Sequence, residues 1–107
     1  MKKIFEIQAD VCKPLANAKR LEIIYALKDG ERSVAELVKT LGLPKPNVSQ
    51  HLAVLRACGV VKTRRKGVKI YYSIANPKIV KACTLLREVM IEEFEARRKL
   101  FSKLRKH

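Results

Sequence analysis

The last third of the chain is one long amphipathic stretch, and it restricts the possible folds more than any other feature. Asn76-Pro77 offers a helix cap followed by a proline at the first helical position, where the missing amide costs nothing. Beyond it Ile79, Cys83, Leu86, Met90, Phe94, Arg97, Phe101 and Leu104 follow at steps of four and three, a seam close to a heptad repeat. The spacing predicts a helix from Pro77 to about Leu104, far too long for a small domain to bury. Ile4, Ile7, Val11 and Leu15 form a second stripe, in a first helix expected to end near Lys13. The simplest partner for two such stripes is the same patch on another copy, so a two-fold homodimer through the first and last helices is expected. The alternative is that Pro77 to Met90 packs on the chain's own core and the rest frays.

Between these helices the chain punctuates itself. Asn17 suits the cap of a second helix through Leu21, Ile24 and Leu27, which Asp29-Gly30 stops. Ser33-Val34-Ala35-Glu36 has capping-box spacing and opens a third helix ending at Leu41-Gly42. Pro46 fits the first turn of a fourth helix, with Val48, Leu52 and Leu55 on its buried face and Cys58-Gly59 at its end. Val60 to Arg65 and Lys69 to Ile74 read as strands joined through Lys66-Gly67-Val68. The predicted architecture is mainly α: a winged helix-turn-helix of four helices, a β-hairpin and a long fifth helix. With 107 residues and 48% hydrophobic content there is material for one core, hence one domain over residues 1–107. Within it, residues 33–75 supply the helix-turn-helix and wing, and residues 1–15 and 77–104 the dimerisation helices.

Charge indicates the partner. The chain carries 24 Lys and Arg against 10 Asp and Glu, net +14, yet no acid occurs between Glu36 and Glu88. A one-sided run of cations points to a polyanion, and on a helix-turn-helix to double-stranded DNA. The fourth helix should enter the major groove, where Asn47 and Gln50 suit adenine, and Ser49 and His51 suit a base edge or phosphate. Lys45, Pro46 and Arg56 complete its candidate contact set, Pro46 by apolar contact alone. Arg64, Arg65, Lys66 and Lys69 on the wing are expected to grip backbone or reach the minor groove.

Several of these runs, in this order, resemble a known family. Ser49-Gln50-His51-Leu52 with Leu55-Arg56, then Gly59-Val60-Val61, Arg64-Arg65-Lys66-Gly67 and Tyr71-Tyr72-Ser73-Ile74, look like the winged-helix repressors of the ArsR/SmtB type. Leu15-Ala16-Asn17-Ala18-Lys19-Arg20-Leu21 matches the opening of that family's second helix, and the resemblance runs from about Ala9 to Met90. It implies a homodimer that binds an imperfect palindrome and is released by an inducer. The family's metal sites are not matched. Where arsenic or cadmium sensors often place Cys-x-Cys after Glu-Leu, Glu36-Leu37 is followed by Val38-Lys39-Thr40. Where zinc sensors use Asp-x-His and a later histidine pair, this chain has Asn76-Pro77-Lys78, then Val89 and Glu92.

No metal site and no cofactor is therefore expected, which leaves sulfur for sensing. Cys12 and Cys83 belong to the two elements expected to pack at the dimer interface, so thiol oxidation or reactive sulfur there could alter dimer geometry. Cys58 resembles the second of two cysteines that a cadmium and lead sensor of the family carries in its recognition helix, but Val54 replaces the first. Buried free cysteines also serve as small hydrophobes, so core filling is an open reading for all three. A soft-metal site (Cd, Pb or As) built from Cys12, Cys58 and Cys83 across subunits is an alternative function. A sequence-tolerant architectural DNA-binding protein is another, though it would not need amides on a recognition helix.

Other classes fail on residue types. Ser49 and His51 stand two apart on one helix and cannot act as nucleophile and base, and the glycines are too dispersed for a phosphate loop, so no enzyme is expected. No apolar run approaches the roughly 18 residues of a membrane span, and Met1 to Glu6 meets charge too soon for a secretory signal, so a cytoplasmic location is expected.

Overall fold

Local backbone chemistry places most of the element boundaries. The computed structural model describes residues 1–105; Lys106 and His107, the end of the basic tail, lie outside the described residues. The order is α1 (Lys2–Cys12), a 3-10 turn (Lys13–Leu15), α2 (Ala18–Ala26), β1 (Arg32–Ser33), α3 (Val34–Leu41), α4 (Lys45–Ala57), β2 (Val61–Lys66), β3 (Lys69–Ile74) and α5 (Pro77–Arg105). Asn17 Oδ1 accepts from the amides of Lys19 and Arg20, which would otherwise be orphaned at the start of α2. At α3 the capping box is closed: the Glu36 amide donates to Ser33 Oγ at 3.2 Å and the Ser33 amide to Glu36 Oε1 at 3.1 Å. Pro46 lies in the first turn of α4. That helix ends with Gly59 at φ 75° and the Val60 amide donating to the Leu55 carbonyl, the six-to-one bond of a Schellman stop.

Two local expectations are corrected. The hairpin is tighter and one residue later than its β-rich runs suggest, because Lys66 pairs directly with Lys69 and only Gly67-Val68 remains as the turn. Gly67 takes φ 65° and, among the described residues, no non-glycine residue has positive φ, the pattern of a type II′ turn that matches strand twist. A third strand, β1, adds antiparallel to β3 through Arg32↔Tyr72 and Ser33↔Tyr71. Two residues carry no periodicity, so this strand has no sequence signature of its own.

Ile23, Ile24 and Leu27 of α2 and its end, Leu37 of α3, Val48, Leu52 and Leu55 of α4, and Val60 and Val61 at the sheet form one buried core. Tyr72, Ile74, Ile79 and Val80 pack on it half-buried, fastening the wing root and the start of α5. The Tyr25 ring adds a tie, with Lys28 Nζ at 4.3 Å and the Arg87 guanidinium of α5 at 5.0 Å from its centre.

Apart from the first turns of α5, the terminal helices project away from this core. Neither α1 nor α5 has a single buried residue. Phe5 is 59% exposed, Phe94 67% and Phe101 68%. The 29-residue α5 is about 43 Å long and stretches the chain to a radius of gyration of 17.5 Å, against about 13 Å for a compact chain of this length. Among the described residues no helix is long and apolar enough to cross a membrane.

Candidate nucleic-acid interface

Burying Val48, Leu52 and Leu55 fixes the rotation of α4, and with it which side chains face outward. At about 100° per residue, Pro46, Gln50 and Ala53 lie opposite that buried edge, with Ser49 beside them. Lys45 and Arg56 fall along one border and Asn47 and His51 along the other. All of these are exposed except His51, which is half-buried. The three-residue turn Gly42-Leu43-Pro44 keeps α3 behind α4, the arrangement by which a second helix is presented to a major groove.

His51 is held from behind. Arg20 of α2 donates through Nε to the Pro14 carbonyl at 2.6 Å, and its Nη1 lies 3.4 Å from His51 Nδ1. A guanidinium only donates, so this contact is a hydrogen bond in the tautomer whose Nδ1 is bare, the one that leaves the Nε2 proton for an acceptor outside the protein. The same arginine links the 3-10 turn after α1 to the outward-facing helix.

On the wing, strand alternation sorts the cations. Lys62, Arg64 and Lys66 share one face of β2, with Lys69 and Tyr71 opposite Lys66 and Arg64 on β3; Arg65 lies on the other face, opposite Ile70. Val68 at the tip is 95% exposed. Arg64 is engaged: its Nη2 donates to Glu31 Oε1 and its Nε donates to Oε2 at 3.1 Å. The Arg64 hydrogen bond holds the Glu31 carboxyl below its ordinary range, with Lys66 adding to the effect, and Glu31 raises Arg64 in turn. Glu36 is also lowered, first by the Ser33 amide and more weakly by Arg32 and Lys69. The acid-free stretch of the sequence is therefore met in space by two carboxylates from just before it.

The three cysteines are free; Cys12 is exposed and Cys58 and Cys83 are half-buried. Cys12 and Cys83 line one groove of about 1010 Å³ between the end of α1, α2 and α5, with Leu15, Leu21, Tyr25, Leu86 and Met90. Cys58 packs against the core at the end of α4, away from that groove. Among the described residues no group of three or more His, Cys, Asp or Glu is placed to hold a metal ion. Residue types and spacing do not single out Arg20, Glu31, Lys62 or Val68. Arg20 and Glu31 contact partners 31 and 33 residues away, a separation at which no sequence period operates.

Comparison with known proteins places this geometry among bacterial regulators. Residues 17–63 match the family model described as bacterial regulatory protein, arsR family. The chain is 44% identical over 70 residues to the HTH-type transcriptional regulator KmtR of Mycobacterium tuberculosis, a match covering 65% of this chain and only 54% of that protein. It is 40% identical over 88 residues to the HTH-type transcriptional regulator Rv0081 of the same organism, covering 81% of this chain and 77% of that one. With the transcriptional repressor PagR of Bacillus anthracis it shares 39% over 85 residues, 78% and 85% of the two chains. Among solved structures, Rv0081 superposes with a TM-score of 0.80 at 38% identity, covering 88% of this chain and 95% of that one. The homodimeric winged helix-turn-helix DNA-binding domain of Mb0332 from Mycobacterium bovis gives 0.79 at 33%, covering 89% and 88%.

Proposed function

This chain belongs to the ArsR family of bacterial regulatory proteins, and we propose that it acts as a dimeric, sequence-specific repressor. Each subunit offers α4 to one of two successive major grooves about one helical turn apart, and the bound dimer occludes a promoter. The observation that carries this reading is the outward row of Pro46, Ser49 and Gln50 on α4, rigidly seated by Val48, Leu52 and Leu55 and flanked by a cationic wing. Gln50 reads adenine through its amide, Asn47 and Ser49 supplement it from either side, and Lys45, Arg56, Arg65, Lys66 and Lys69 neutralise phosphate. Dimerisation uses the exposed faces of α1 and α5, and the target is an imperfect palindrome because a two-fold protein matches a two-fold site.

Release by thiol oxidation is the finer part of the reading. It is supported by Cys12 and Cys83 lining the same groove between the end of α1, α2 and α5. A two-electron oxidant such as a peroxide or polysulfide would join or modify these thiols and favour a dimer geometry whose two α4 helices no longer match the groove spacing. Fluorescence anisotropy with DNA from the protein's own upstream region tests both parts. The expected result is tight binding under reductant that weakens at least tenfold, about 1.4 kcal/mol, after oxidation. Unchanged binding would reduce Cys12 and Cys83 to packing residues while leaving the repressor reading intact. In the same assay Gln50→Ala should erode discrimination between operator and altered bases by about 1–3 kcal/mol, and Lys66→Ala should weaken all DNA alike. Equal, sequence-independent losses from both variants would contradict specific readout.

A further inference from the structure

Arg64 lies among the wing cations, yet it is the one held by a carboxylate with two hydrogen bonds. A guanidinium fork fits a phosphate as well as it fits a carboxylate, so the two compete for the same donors. We propose that Glu31 withholds Arg64 from DNA: the pair is closed in the free protein and opens when a phosphate takes the carboxylate's place. The inference rests on the DNA-binding reading above and concerns how that surface is regulated.

Three observations carry it. First, the pair is accessible, with the Arg64 side chain 58% and the Glu31 side chain 34% exposed. An ion pair in that setting adds little to fold stability, so exchanging one anion for another does not threaten the wing. Second, the wing has other anchors. Val61↔Ile74 and Thr63↔Tyr72 hold the hairpin in register, and Val61, Tyr72 and Ile74 pack it onto the core. Third, Arg64 lies on the same strand face as Lys62 and Lys66, so a phosphate drawn to those lysines arrives beside the guanidinium. Lys66 also acts on Glu31, which places the carboxylate within the field that a DNA backbone would occupy.

The consequence is a penalty on phosphate contact. A DNA backbone reaches Arg64 only by displacing Glu31, so part of the wing's electrostatic attraction is cancelled in advance. Non-specific binding is almost entirely electrostatic and bears that penalty with little to offset it, whereas an operator adds base contacts from α4. Glu31 thereby lowers affinity for operator and unrelated DNA alike, and unrelated DNA, which lacks base contacts, is the first to be left unbound.

The test is anisotropy of the full chain on operator and unrelated duplexes across a salt series, with wild type, Glu31→Gln, Arg64→Gln and the double variant. Glu31→Gln should bind both duplexes more tightly, roughly threefold or more, since the competing carboxylate is removed from each of two subunits. Arg64→Gln should flatten the dependence of log affinity on log salt by about 0.9 for each phosphate that is no longer neutralised. The double variant should match Arg64→Gln alone, because Glu31 then has nothing to withhold. Glu31→Gln binding no tighter than wild type would overturn the inference and make the pair a plain wing anchor. So would an unaltered salt slope in Arg64→Gln, or a double variant still tighter than Arg64→Gln. Wild type lacking salt-dependent binding altogether would instead overturn the DNA-binding reading.

Discussion

The unit of α2, the helix-turn-helix and its wing, and the pair of terminal helices obey opposite rules of self-sufficiency. Within the first, nine hydrophobic residues are buried in one core. Its helices are capped by Asn17, Ser33 with Glu36, and Gly59. Among the described residues no buried side-chain polar atom lacks a partner. In the second, Phe5, Leu86, Met90, Phe94 and Phe101 lie open to solvent on helices with no buried residue. One region completes its packing within a single chain, and the other has the apolar content of an interface without its second half. Folding and assembly are thus separable here, and substitutions in the two regions should report on different equilibria.

The largest expected effect breaks the self-sufficient side. Leu52→Ala, at a fully buried position of α4, should lower unfolding stability by about 2–5 kcal/mol in urea denaturation, and DNA affinity should fall with it because the helix is no longer seated. A cost under 1 kcal/mol would mean that the core is looser than its packing indicates. Next, Phe94→Ala should weaken dimer association by about 2 kcal/mol or more in sedimentation equilibrium while leaving the monomer's circular dichroism unchanged. If the same substitution unfolded the domain at low concentration without changing association, the two regions would not be independent. A smaller effect refines the folded side: Ser33→Ala removes one arm of the capping box and should cost about 1 kcal/mol without touching the oligomeric state.

The smallest effect is a pH dependence. The carboxyls of Glu31 and Glu36 are both held below their ordinary value of 4.5 in the folded chain. Their contribution is complete above that value and is lost as pH falls through the lower folded value. Thermal unfolding followed from neutral pH downward should therefore decline below about pH 4.5, and Glu36→Gln, which can still accept from the Ser33 amide but cannot titrate there, should decline less steeply. Parallel curves would show that the Glu36 carboxyl does not govern the acid limb.

The parts legible in sequence are those whose partners are two to four residues away. Ser33 and Glu36, Asn17 and Asn76 each satisfy neighbouring amides, and the helices begin where these residues stand. Glycine after α4 and in the hairpin marks positive φ, which side-chain-bearing residues avoid. The unpartnered seam on α5 is also readable, because a helical period shows a stripe whether or not anything covers it. The candidate site is legible as a set of residue types and not as an arrangement. In sequence, Arg64 is one more free cation, His51 one more polar group on α4, and β1 part of a loop.

By itself the sequence determined the five helices and the hairpin, their order and the face of α4 turned outward, since each follows from backbone capping or a fixed helical or strand period, and its composition determined the excess of positive charge. The tertiary structure alone decided that Glu31 holds Arg64, that Arg20 lies against Nδ1 of His51, and that Cys12 and Cys83 line one groove. Those pairings join residues some 30 or more positions apart, and which charge meets which is settled only when core packing brings α2, α4, α5 and the wing together.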